Sequence, residues 1–247
     1  MGRCEQKRFQ IISTERLISP IMNYSEKNKT PKQIGGNALR AAAGLALYGI
    51  GVYLTIQANI GVAPWDCLFL GIRNHTVLSY GFITICLKVV IILIDYFIGE
   101  RIGIGTIVDA LVVGLTVDVC NFLDFLPPRS SLVSGILLMF FGLVVNGIGQ
   151  YIYMQSALCC GPVDALIVGL SKKLPRVPIG AIGVVLLTGV VIIGYSLGGP
   201  VGIGTVIGAL CMTPIMQLVF QRMHFVPEDV IHQDFLGSFR VLTGRNR

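Results

Sequence analysis

Charged side chains vanish from three long stretches of this chain, 41–65, 130–163 and 177–221, and thin out over 78–98 and 102–123. A helix that crosses a bilayer needs about 20 mostly apolar residues. The last charge-free stretch, 45 residues long, holds two such helices, parted at Gly198-Gly199-Pro200, a strong turn signal. The pattern predicts six spans: 37–57, 78–98, 102–123, 132–155, 177–197 and 201–221. Two pieces remain, 64–74 and 162–171. Each opens with Pro, has Asp two residues later and reaches Gly seven residues after the Pro, the marks of a short helix. At roughly 15 Å long, each reaches half-way across a bilayer, so both read as re-entrant half-helices. Irregular backbone at membrane depth is tolerated only where protein buries it or a wet cavity lines it.

The chain also contains itself twice. Residues 44–71 shifted by 98 match 142–169 at 11 of 28 positions, including Gly49/Gly147, Gly51/Gly149, Tyr53/Tyr151, Gln57/Gln155, Pro64/Pro162 and Asp66/Asp164. Residues 81–111 shifted by 99 match 180–210 at 12 of 31, with Gly103-Ile104-Gly105-Thr106 falling on Gly202-Ile203-Gly204-Thr205. Three spans per copy is an odd number, so the second copy enters the membrane from the opposite side. The predicted fold class is an all-α polytopic membrane protein of two inverted-topology repeats, each with three transmembrane helices and one short re-entrant half-helix. The expected divisions are a basic cytoplasmic tail (1–35), repeat one (36–126), repeat two (127–222) and a cytoplasmic C-terminal tail (223–247).

Composition agrees about the solvent. The chain is 53% hydrophobic and 13% charged, with a mean hydropathy of +0.76, against roughly 25% charged residues in soluble domains. The N-terminal tail carries eight basic residues, from Arg3 to Arg40. Placing it in the cytoplasm also puts Arg101, Lys172, Lys173 and Arg176 inside, and leaves only Arg73 and Arg129 outside. Both termini are therefore expected in the cytoplasm. The net charge of +6 resides mostly in the tails, so no nucleic-acid partner is expected. None of the seven cysteines has zinc-ligand spacing, and no HExxH, GxSxG or P-loop is present. No catalytic residue, metal or cofactor is expected, and the chain is not read as an enzyme.

Candidate chemistry lies in polar groups inside the apolar stretches. Asp66 and Asp164, with Trp65, start the half-helices, where free N–H groups and a partial positive charge can hold a polar or anionic solute; each Asp can equally cap its own helix. Trp65 can stack on a ligand or anchor at the interface. Gln57 and Gln155 end the first span of each copy. Tyr53 and Tyr151 lie four residues earlier on the same face, and retention in both copies suggests that all four line the repeat interface. Gly49-x-Gly51 and Gly147-x-Gly149 point to close helix packing. Lys88, whose mate is Leu187, sits mid-span, where a charge costs at least about 2.5–3.5 kcal/mol. Asp109 and Asp118 are nine residues apart and face opposite sides, so one of them is the natural partner; depth favours Asp109. Such a pair can act as a gate or sit as a static buried pair. Thr106-x-x-Asp109 also reads as a capping box.

The run Ala58-Asn59-Ile60-Gly61-Val62-Ala63-Pro64-Trp65-Asp66, followed by Gly103-Ile104-Gly105-Thr106, resembles the YczE/YyaS/YitT-type bacterial integral membrane proteins over 37–221. Without the large cytoplasmic C-terminal domain of the YitT branch, the chain looks closer to the YczE branch. The resemblance implies a multi-span protein of a bacterial plasma membrane and carries over no ligand residues. The function expected is a small secondary transporter or exporter of a polar or anionic solute bound between the half-helices. The alternative is a non-transporting membrane subunit or scaffold that recruits a partner protein. The expected partners are the lipid bilayer, a small-molecule solute, and further copies of the chain or another membrane protein.

Overall fold

A computed structural model of the chain describes residues 31–100, 102–158 and 161–225. Most of both tails, Arg101, Cys159 and Cys160 lie outside these. The described residues form eight helices and no strand: α1 (Pro31–Gln57), α2 (Pro64–Arg73), α3 (Tyr80–Ile98), α4 (Ile104–Phe122), α5 (Leu132–Met154), α6 (Pro162–Lys173), α7 (Ile179–Ser196) and α8 (Ile203–Arg222). Six are long and apolar enough to cross a membrane, and α2 and α6 are the short ones. The order long, short, long, long thus occurs twice. Both short helices start on Pro, carry Asp in the first turn and end on basic residues: Arg73 in α2, Lys172 and Lys173 in α6. This arrangement suits the helix dipole at both ends. The two lysines are therefore helical, two residues past the end expected from the Gly.

α1 and α5 cross at the centre through glycines. A Cβ on Gly44 would lie 2.6 Å from the Tyr153 nitrogen, and one on Gly149 would lie 2.5 Å from the Tyr48 nitrogen. Gly51 and Gly142 meet the partner helix in the same way. With no side chain between them, the two backbones touch. The neighbouring glycines serve other contacts: Gly49 admits Thr116 of α4, and Gly147 admits Val219 of α8. Around this pair, α4 packs on α1, α8 on α5, α2 on α7 and α6 on α3. Helix α3 starts against α2, where the Tyr80 hydroxyl meets Asp66, and ends against α6, where Ile98 and Glu100 meet Gly169.

The duplicated Gly-Ile-Gly-Thr blocks do one job twice. The first glycine of each precedes a helix, and its N–H donates to the threonine hydroxyl three residues on: Gly103 to Thr106 Oγ1 at 3.3 Å, Gly202 to Thr205 Oγ1 at 3.2 Å. This satisfies a backbone donor left open at the helix start. The second glycine donates to the connector that leads into a short helix: Gly105 to the Leu158 carbonyl at 2.9 Å, Gly204 to the Ile60 carbonyl at 2.8 Å. A Cβ on Gly105 would stand 2.6 Å from that carbonyl oxygen, so only glycine allows the approach. Just before those carbonyls both connectors turn through a left-handed residue, Asn59 (φ 55°) and Ala157 (φ 53°). The motif therefore fixes where each short helix begins.

Large apolar side chains cover the outside of the bundle, among them Val184, Val185, Ile192 and Ile193 on α7 and Leu210 and Leu218 on α8. Apolar surface on this scale marks contact with another apolar phase. With six apolar helices of spanning length, the chain is a multi-pass membrane protein.

Candidate functional site

Asp66 stands in the first turn of α2 and turns inward, because the opposite side of that helix is pressed onto α7: a Cβ on Gly194 would lie 2.7 Å from the Leu68 nitrogen. The residue is 7% exposed, and its Oδ1 accepts a 2.7 Å hydrogen bond from the Tyr80 hydroxyl. Phe69, one turn along α2, places its ring 6.3 Å from Trp65 and 6.0 Å from Tyr80. Three aromatic rings thus gather around one carboxylate.

Tyr80, Thr84 and Lys88 recur every four residues and share one face of α3. Lys88 Nζ lies 3.0 Å from Asp109 Oδ2 and donates also to the Asp109 carbonyl at 3.4 Å; both residues are 7% exposed. The lysine is within electrostatic reach of Asp66 and of Asp164 as well. Gly161, the residue before α6, packs between two acids: a Cβ there would lie 3.4 Å from Asp109 Oδ2 and 3.7 Å from Asp164 Oδ2. Asp164 is the most exposed of the three aspartates, and all three line one cavity.

That cavity encloses about 700 Å³, within the roughly 300–1,000 Å³ typical of small-molecule sites. The two short helices contribute Trp65, Asp66 and Asp164; the long helices add Tyr48, Lys88, Asp109, Gln150, Tyr153 and Thr213. It extends to Glu100 and Lys172, which form an ion pair at 2.8 Å between the end of α3 and the end of α6. Among the described residues no group of three or more His, Cys, Asp or Glu is placed to hold a metal ion.

Of the residues singled out from sequence, Asp66, Asp164, Trp65, Lys88 and Asp109 line this cavity and the others do not. Asp118 accepts from the Gly81 N–H at 2.8 Å and from the Ser79 hydroxyl, and so closes the start of α3 far from Lys88. Tyr53 is fully buried and clamps the α4–α5 loop, donating to the Leu126 carbonyl at 2.9 Å and accepting from the Leu126 N–H at 2.8 Å. Tyr151 packs on Phe220 and Phe225 and bonds Gln155. The Gln57 carbonyl accepts from Arg129 at 2.9 Å, at the end of α1. Thr106 caps Gly103, which leaves Asp109 one turn further on and paired with Lys88.

The sequence reasoning missed Tyr48, Tyr80, Gln150 and Tyr153. Of the residues selected for retention in both copies, the two half-helix aspartates line the cavity, and Tyr53, Tyr151, Gln57 and Gln155 do not; Trp65, Lys88 and Asp109, which line it too, were selected on other grounds. The mates of the missed residues are Asn146, Ile179, Val52 and Thr55. Tyr80 and Gln150 have apolar mates, so for those two the signal that singled out Lys88, a polar residue with an apolar mate, was available; Tyr48 and Tyr153, with polar mates, carried no such signal.

Comparison with known proteins finds uncharacterised relatives, one of them described as a membrane protein. A family model described as a family of unknown function (DUF6198) matches residues 37–221. The uncharacterized membrane protein YczE of Bacillus subtilis is 28% identical over 170 residues, covering 68% of this chain and 78% of its own. The uncharacterized protein YyaS of the same organism is 27% identical over 198 residues, 75% of this chain and 94% of its own. An uncharacterized protein of Haemophilus influenzae is 27% identical over 186 residues, 74% and 84% respectively. No solved structure matches. The chain belongs to the DUF6198 family.

Proposed function

We propose that this DUF6198 member is a small secondary transporter, which binds a solute in the cavity between α2 and α6 and exposes it alternately to the two sides of a bacterial plasma membrane. The observation that carries the reading is the charged cavity itself. A lysine and three aspartates line a volume inside a bundle whose outer surface is apolar. Ionisable groups at membrane depth are costly, and they mark solute or ion pathways.

Several packing relations support a two-fold relation between the copies, on which the inverted-repeat arrangement of this cycle builds. Exchanging the copies turns α1–α4 into α5–α8, turns α2–α7 into α6–α3, and leaves α1–α5 unchanged. The same exchange turns the Gly204–Ile60 bond into Gly105–Leu158. In broken-helix transporters one copy rocks against the other around a fixed midplane site. Pro214, which costs α8 an internal hydrogen bond, sits beside the cavity residue Thr213, and a proline inside a helix supplies a place for it to hinge. With the termini in the cytoplasm, the Glu100–Lys172 pair lies at the inner mouth and serves as its closure.

The test is accessibility. Thr213→Cys, in a variant whose seven native cysteines are replaced, is exposed to a membrane-impermeant maleimide in right-side-out and in inside-out vesicles. Labelling from both faces is expected, with Glu100→Gln raising the rate from the cytoplasmic face. Labelling from one face only, in every variant, sinks alternating access and leaves the scaffold reading.

A further inference from the structure

We infer that the cargo is an organic cation with an apolar body, a protonated or quaternary amine, held between Asp66 and Asp164. The inference deepens the transport reading and rests on it only in taking the cavity as the place where cargo binds. It reverses the sign of the solute expected from the half-helix dipoles alone.

The pairing of charges decides the sign. Among the described residues, four acids and two lysines line the cavity. Lys172 is paired with Glu100 and Lys88 with Asp109. The duplicated aspartates, Asp66 and Asp164, form no ion pair with any described residue. They share only the distant influence of Lys88, which is already bound to Asp109. An anion approaching the N-terminus of α2 or α6 would meet the aspartate of that helix's own first turn. The positive ends that suggested an anion are therefore occupied from within the chain.

Asp66 is prepared for such a ligand. It is 93% buried (7% exposed), Tyr80 holds its Oδ1, and its Oδ2 has no hydrogen-bond partner among the described residues. A buried carboxylate oxygen facing an open volume, with no donor of its own, is complementary to an N–H or an ammonium group. The surrounding chemistry points the same way. Trp65, Phe69 and Tyr80 line the cavity beside Asp66, and Tyr48 and Tyr153 line it as well. Aromatic faces attract cations, tryptophan most strongly, and the attraction grows when water is excluded. Met154, Met212 and Met216 line the wall contributed by α5 and α8; flexible and polarisable, they fit an apolar body of no single shape. Asp66 and Asp164 start different short helices and line one cavity of about 700 Å³, a volume that takes a whole molecule rather than a bare ion.

Trp65 is the sole tryptophan of the chain and lines the cavity, so its emission reports occupancy directly. The full-length protein in detergent is titrated with benzyltrimethylammonium and tetrapropylammonium, and separately with benzenesulfonate, at constant ionic strength. The two cations are expected to change Trp65 emission saturably, and the sulfonate is not. Asp66→Asn and Asp164→Asn are each expected to weaken the cation Kd at least about tenfold, since the carboxylate's charge attraction for a quaternary ammonium, which has no N–H to donate, is lost in a site shielded from water. Asp118→Asn lies outside the cavity and leaves Kd unchanged. Saturable binding of benzenesulfonate, a cation response indifferent to both aspartates, or no saturable response to either cation in folded protein overturns the inference. Cation binding with one-sided labelling of Thr213→Cys would end the transport reading alone. Two-sided labelling with anion binding would end this one alone.

Discussion

Replacing Lys88 by Met removes the cation from a buried pair and keeps the apolar stem. The pair is 3.0 Å long, and its side chains are 9% and 10% exposed. At that distance the gross attraction is about 5 kcal/mol for an effective dielectric constant near 20, most of it offset by the cost of taking both charges out of water. The net worth of the intact pair is therefore small, but a lone buried charge is expensive: losing one partner costs about 3–5 kcal/mol. The two single variants should differ. In Lys88→Met, Asp109 is left beside Asp164, across Gly161, with no other described cation in contact. In Asp109→Asn, Lys88 keeps the 3.4 Å bond to the carbonyl of residue 109 and the influence of Asp66 and Asp164. The expected order of loss is Lys88→Met, then Asp109→Asn, then the double variant, which loses least. Thermal unfolding in detergent, followed through Trp65 emission, reads this order. At about 2–4 °C per kcal/mol for a chain of this size, Lys88→Met lowers Tm by roughly 6 °C or more, and adding Asp109→Asn restores most of it. If the double variant melts at the sum of the two single losses, the residues are not coupled and the reasoning fails.

The duplicated threonine caps give a paired prediction. Thr106→Val and Thr205→Val each remove one acceptor from a helix start and are expected to cost about 1 kcal/mol, with similar drops in Tm; a loss in one copy alone would show that the two motifs do different work. Glycine substitutions should separate contact from mere composition. Gly149→Ala drives a Cβ to within 2.5 Å of the Tyr48 backbone nitrogen, at an overpacking cost of about 1–3 kcal/mol that exceeds the gain in helix propensity. Gly183→Ala meets nothing within 4 Å and is expected to raise stability by about 0.5–1 kcal/mol. Equal effects on Tm at the two sites would refute the backbone-contact account of the α1–α5 crossing.

The list of helices was legible in the sequence because a bilayer permits so few alternatives. Every backbone polar group must be bonded internally, so long charge-free runs become helices and Pro, Gly and charge mark their ends. The spans at 37–57 and 132–155 and the short pieces at 64–74 and 162–171 correspond to α1, α5, α2 and α6, with ends moved by a few residues, the largest shift being at the start of α1. The duplication was equally legible, since identity at a fixed offset needs no structure. Likewise, the energy of a charge mid-span showed that Lys88 needed an acid nearby.

The rotation of each helix about its own axis was not legible. A soluble helix shows its inward face as an apolar stripe. In these spans lipid and interior are both apolar, so the pattern does not say which residues turn inward. Tyr48 and Tyr53 lie on the same helix five residues apart, about 140° around the axis. The retained Tyr53 proved to be a clamp on the α4–α5 loop, while Tyr48 faces the cavity. Only tertiary packing makes that choice, through glycines that let α1 and α5 touch and so fix their rotation. The charge of the cavity was settled in the same way. Sequence supplies the acids and lysines, but which acid each lysine neutralises depends on distances between helices, and among the described residues those pairings leave Asp66 and Asp164 without an ion pair.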